Sequence, residues 1–144
     1  MTRQYNKREY VSNEATQRLW EKFGSVKAFV SASGVSHNTV RQSLLLGEKT
    51  PNGSTILAYA KALDLPFDTV ADACNFPKNR LLREIYRQGY TIETLSTEIG
   101  VRMETIYGLC DNRRSRHISK TIVRVARGLG LTYDEVVEMA SAQQ

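Results

Sequence analysis

Long apolar runs, paired cysteines and histidines are all scarce in this sequence, and each scarcity removes a class of protein. The longest apolar stretches are a few residues, as in Leu44-Leu45-Leu46, far short of the roughly 18–20 that a membrane-spanning helix requires. Met1 to Tyr10 is polar and basic with no apolar stretch behind it. It therefore reads as lacking a secretory leader, which sets the expectation of a cytoplasmic protein with no membrane partner. Cys74 and Cys110 stand apart rather than in a CxxC pair, and read as reduced thiols. The two histidines, His37 and His117, adjoin neither a nucleophile nor a ligand set, so no enzyme activity, metal or cofactor is expected. Leu46-Gly47-Glu48-Lys49-Thr50 lacks the glycine before lysine that a phosphate-binding loop needs.

What remains is an ordinary globular balance, 41% hydrophobic and 24% charged, with a formal net charge of +5. That sign favours a polyanionic partner, but the placement of the charges must decide.

Offset by 66 residues, the two halves of the chain align without a gap, with 11 identities over 13–78 against 79–144, where composition alone gives roughly 4. Asn13 falls on Asn79, Gly34-Val35 on Gly100-Val101, Thr55-Ile56 on Thr121-Ile122, and Leu63 and Leu65 on Leu129 and Leu131. Conservative pairs such as Leu19/Ile85, Trp20/Tyr86, Ser25/Thr91 and Val40/Ile106 fill the intervals. The halves read as an internal duplication.

Each half reads as five short helices. In the first, Ala15, Leu19 and Phe23 stripe a helix over Glu14–Phe23, and Gly24 ends it. Ser25 caps a second over Val26–Ser33, Gly34 makes a tight turn, and Ser36 caps a third through about Leu46. A loop over 47–53 leads to a fourth helix striped by Ile56, Ala60 and Leu63, then a short fifth anchored by Phe67 and Val70. The second half repeats this over 79–88, 92–99, 103–111, 119–129 and 133–140. The expected organisation is a basic arm over 1–12, domains over 13–74 and 79–144, and a link at Cys74–Lys78 too short to allow free reorientation.

The segment from Ser25 to Val40, with its cap, its Gly34-Val35-Ser36 turn and Val40 six residues after the glycine, resembles the helix-turn-helix of Cro/C1-type, lambda-repressor-like regulators. Thr91, Leu95, Gly100, Val101 and Ile106 repeat the pattern, and Lys61-Ala62-Leu63-Asp64-Leu65 is similar to a downstream signature of that family. The resemblance implies an all-α protein of two tandem five-helix domains that binds double-stranded DNA and regulates transcription. It implies a repressor occupying an operator, of a kind common in phages and mobile elements. The sequence departs from the family pattern in two respects. Ser43 stands where an apolar residue is usual, and the loop after each third helix reads about one residue longer than usual, Gly47 following Gly34 by thirteen.

A helix of this type enters the major groove with its N-terminal residues at the base edges. The base-reading candidates are Ser36, His37, Asn38, Arg41 and Gln42, with Arg102, Met103, Glu104 and Tyr107 in the second copy. Arg can pair with guanine, and Asn or Gln with adenine, although a polar face can also be merely solvated. Phosphate candidates are Ser25, Lys27 and Thr91 at helix starts, and the cluster Arg113, Arg114, Arg116 and Lys120. Arg3, Lys7 and Arg8 read as a frayed terminus or as an arm along DNA, the first being favoured. No small-molecule effector is evident. A homodimer is open, through an apolar face of Val136, Val137 and Ala140. The competing reading is a protein-interaction module of antitoxin or antirepressor type, or a hybrid in which one copy binds DNA and the other assembles.

Overall fold

The computed structural model describes residues 10–111 and 119–141. Among these residues the chain is all-helical, with no strand. It divides into two compact units that meet between Phe76 and Pro77.

The first unit contains α1 (Glu14–Phe23), α2 (Val26–Ser33), α3 (His37–Val40), α4 (Gly53–Leu63) and α5 (Phe67–Ala73). Local chemistry sets most of these boundaries. Asn13 and Thr16 form a reciprocal capping box at the start of α1, and Ser25, Ser36 and Asn52 each accept a backbone N–H two to three residues inside the following helix. Gly34 closes α2 at φ 74°, a conformation that costs a side-chain-bearing residue free energy. Phe29 is fully buried, its ring 5.5 Å from Phe23 and 5.4 Å from Tyr59. Basic side chains of α1 close the far end of α4: Lys22 Nζ donates to the Ala62 carbonyl at 2.8 Å and Arg18 Nη1 to that of Leu63 at 3.1 Å. Cations there complement the helix dipole.

The third helix departs from the expected α winding. After Val40 it widens into a π-helical turn over Arg41–Leu45, in which the Leu46 N–H reaches back to the Arg41 carbonyl at 2.8 Å. The residue that made the following loop look long is thus absorbed inside the helix. The wider turn buries Ser43, Leu44 and Leu45 in succession. Ser43 Oγ lies 2.6 Å from the Thr39 carbonyl and 2.8 Å from the Tyr59 hydroxyl. Because the carbonyl can only accept, the serine proton goes to Thr39 and the Tyr59 hydroxyl donates to Ser43. Ser43→Ala is expected to destabilise the first unit by about 1–3 kcal/mol, since the buried Tyr59 hydroxyl loses its acceptor. Ser43→Ala combined with Tyr59→Phe should recover part of the loss. Chemical denaturation of both variants checks this, and a parent-like midpoint for Ser43→Ala would contradict it.

Two other sequence expectations shift. Within the short link expected over 74–78, Cys74 is buried, Phe76 lies edge-on to Phe67 at 5.8 Å, and the Pro77 carbonyl accepts from Arg83 Nε at 3.0 Å. The segment expected to be an arm through residue 12 is tied down from Tyr10 onward. The Tyr10 ring stacks on Trp20 at 6.0 Å, and the Val11 N–H donates to the Leu45 carbonyl at 2.8 Å. Arg3, Lys7 and Arg8 lie outside the described residues.

The second unit contains α6 (Arg80–Arg87), α7 (Ile92–Ile99), α8 (Met103–Asp111), α9 (Ser119–Leu129) and α10 (Tyr133–Ser141). Its α8 buries Ile106, Leu109 and Cys110, the spacing of an undistorted α-helix. The apolar face expected from Val136, Val137 and Ala140 is corrected by α10: Val136 and Ala140 are core residues, and only Val137 of the three is exposed. Gln88, the counterpart of Lys22, again closes the end of the fourth helix by donating to the Leu129 carbonyl at 2.9 Å. A Cβ on Gly128 would stand 2.6 Å from Ile99 Cγ2 and 3.2 Å from Leu95 Cδ1, so the missing side chain is what lets α9 approach α7.

Burial pushes the Cys74 and Cys110 thiols up to about 12, and the Tyr59 and Tyr86 hydroxyls likewise to about 12. The folded state holds these protons more tightly than the unfolded chain, so their contribution is complete below about pH 9 and is lost as pH rises toward 12. Melting temperature is expected to be level from pH 6 to 8 and to fall steadily above about pH 9. Thermal melts at stepped pH check this, and an unchanged temperature at pH 11 would contradict it.

Candidate nucleic-acid interface

The first unit exposes two helix starts in succession. At α2, Ser25 is exposed and its Oγ accepts the Ala28 N–H at 3.2 Å, with exposed Lys27 close behind it in the first turn. After α2 the chain turns through Gly34-Val35-Ser36 and re-enters a helix that packs against α2. Ser36 caps this helix from an exposed position, accepting the Thr39 N–H at 3.2 Å and donating to Thr39 Oγ1 at 2.9 Å. His37 and Asn38 follow in its first turn, both exposed. Arg41 and Gln42, one turn on, are half-buried and sit where the winding widens. The Gln42 carbonyl accepts the N–H groups of Glu48 and Lys49 at 2.8 and 3.1 Å, which folds the following loop against the helix end.

That loop contains a residue that the sequence pattern did not single out. Lys49 is exposed and its backbone is tied to the third helix. Its counterpart in the 66-residue register is Ser115, in the middle of the arginine cluster, so the register itself was the signal.

No family model, curated protein or solved structure matches this chain. Its functional reading therefore rests on its own side chains. Among the described residues there is no group of three or more His, Cys, Asp or Glu able to hold a metal ion, and no helix long and apolar enough to cross a membrane.

The second unit repeats the local geometry with different chemistry. Gly100, at φ 69°, ends α7, and α8 starts three residues later. Thr91 and Thr94 form a reciprocal capping box, with Thr94 N–H to Thr91 Oγ1 at 3.0 Å and Thr91 N–H to Thr94 Oγ1 at 2.8 Å. Two N–H groups that a phosphate would seek are thereby occupied. Lys27 is replaced by exposed Glu93, which repels phosphate. Arg102 and Glu104 are exposed and Met103 is half-buried. Tyr107 is exposed, but its hydroxyl is hydrogen-bonded to that of Tyr86, which also takes a bond from the Ile92 backbone. Lys120 is exposed near the start of α9, while Arg113, Arg114, Arg116 and His117 lie outside the described residues.

Proposed function

We propose that this chain is a sequence-specific regulator of transcription that binds double-stranded DNA, with α1–α5 and α6–α10 as two copies of one lambda-repressor-like helix-turn-helix domain. The observation that carries this reading is the exposed, Ser36-capped start of the third helix directly after the Gly34-Val35 turn, with His37 and Asn38 in its first turn. Such a helix start presents donors and acceptors to base edges while the preceding helix meets the backbone. The copies divide the work unequally. Lys27 and Lys49 give the first copy exposed phosphate-attracting charge before and after its third helix in the chain, whereas Glu93 and Glu104 make the second copy the weaker reader. The second copy contributes chiefly non-specific attraction, through Arg113, Arg114, Arg116 and Lys120. Repression by occupying an operator needs no further catalytic or effector-binding part.

The test is a salt titration of the intact chain on duplex DNA. Log affinity should fall linearly with log salt, because each neutralised phosphate releases condensed counterions. Absence of binding at low salt would remove the DNA reading and leave the protein-interaction module.

A further inference from the structure

The two copies differ at the end of their third helix and at a residue that precedes their first, and the two differences coincide. In α winding the Leu46 N–H would return to the Gln42 carbonyl. In the first unit it reaches Arg41 instead, at 2.8 Å, and the Gln42 carbonyl is left to accept the Glu48 and Lys49 N–H groups at 2.8 and 3.1 Å. The widened turn is thus what ties the Lys49 backbone to the helix. Its last carbonyl, that of buried Leu45, is met from outside the helix: the Val11 N–H donates to it at 2.8 Å. Val11 also seats against Gly47, where a Cβ would stand 3.4 Å from Val11 Cγ1. The Tyr10 ring, stacked on Trp20 at 6.0 Å, holds the same segment to α1.

The 66-residue register sets Pro77 opposite Val11, Leu109 opposite Ser43 and Val125 opposite Tyr59. Proline has no N–H to donate, and neither Leu109 nor Val125 carries a hydroxyl. In that copy α8 keeps α winding to Asp111, the counterpart of Leu45. The donor that closes the π-helical turn and the turn itself are therefore present together in one copy and missing together in the other. We propose that Tyr10 and Val11 are positioning residues for DNA binding. The Val11 N–H holds the third helix in its π register, the register hands the Gln42 carbonyl to the following loop, and the loop carries Lys49 to a phosphate. This inference rests on the DNA reading above and names residues that act on it without touching DNA.

Two substitutions in the intact chain separate the N–H from the side chain: Val11→Pro removes the donor, and Val11→Ala keeps it. Amide hydrogen exchange without DNA is read first. In Val11→Pro the Leu46, Glu48 and Lys49 amides should exchange about tenfold or more faster, while protected amides of α2, α4 and the second unit keep their parental rates. Val11→Ala should resemble the parent. If Val11→Pro loses protection throughout the first unit, Tyr10→Ala, which frees the segment from Trp20 and leaves every helix intact, must show the selective loss. Salt titration on duplex DNA is read second. Val11→Pro should flatten the log-affinity against log-salt slope by about 0.9, one phosphate contact, as Lys49→Ala does. The double variant should lose no more than either alone, because both changes remove the same contact. Parental exchange at Leu46, Glu48 and Lys49 in both Val11→Pro and Tyr10→Ala overturns the proposal whatever DNA does, and so does an additive slope in the double variant. A parent that binds no duplex at low salt removes the DNA reading itself, and the positioning role with it.

Discussion

Replacing Asn38 with Ala is expected to weaken binding to the preferred duplex by about 1–3 kcal/mol, roughly five- to 150-fold, with a smaller loss on unrelated DNA. Ser36 spends its hydroxyl on Thr39, which fixes the helix start and leaves Asn38 exposed in the first turn. An exposed amide there can pair bidentately with adenine, an interaction no other base satisfies in the same geometry. Arg41 and Gln42 are poorer first targets. Both are half-buried and lie in the π-helical turn, so alanine there would mix altered folding with altered recognition. Competition binding of Asn38→Ala against specific and scrambled duplexes, with a parallel thermal melt, separates these effects. Unchanged discrimination in a normally folded variant would remove the third helix from the reading role.

Replacing Arg113, Arg114 and Arg116 together with Ala should act on every DNA sequence alike. Each phosphate that is no longer neutralised flattens the log-affinity against log-salt slope by about 0.9, so three such phosphates amount to about 2.7. Relative to a 1 M reference, that corresponds to more than two orders of magnitude in affinity at about 0.1 M salt. Discrimination between sequences should survive, because phosphate contacts position the protein without reading bases. Affinity measured at four or more salt concentrations checks both halves of the statement. A parental slope would make these arginines a solvated surface cluster.

Helix ends were the most legible feature of the sequence because single residues with local chemistry determine them. Ser25, Gly34, Ser36 and Gly100 each satisfy or terminate a run of backbone hydrogen bonds within a few residues of themselves. The π-helical turn was not legible, since Val40 and Leu44 are spaced as in any α-helix and the buried partner of Ser43 within the turn is Tyr59, sixteen residues away. Asn52 was hidden in the same way: its loop-like neighbours concealed a cap that starts α4 at Gly53, before the apolar stripe begins. Cys74 and Phe76 looked like a link because Pro77 follows them, and their burial arises only from packing across α5. For the candidate interface, residue identity was readable but availability was not. The hydroxyl of Tyr107 is engaged by Tyr86, and the capping box at Thr91 takes up the Thr91 and Thr94 N–H groups.

Sequence-specific recognition through the first unit can be measured outright by selecting duplexes from a random pool with the intact chain and footprinting the enriched sequence. One motif should be enriched, its strongest positions responding to Asn38→Ala and its flanks protected without regard to sequence. Enrichment of no motif, or of one indifferent to every change in the third helix of the first unit, would contradict the assignment.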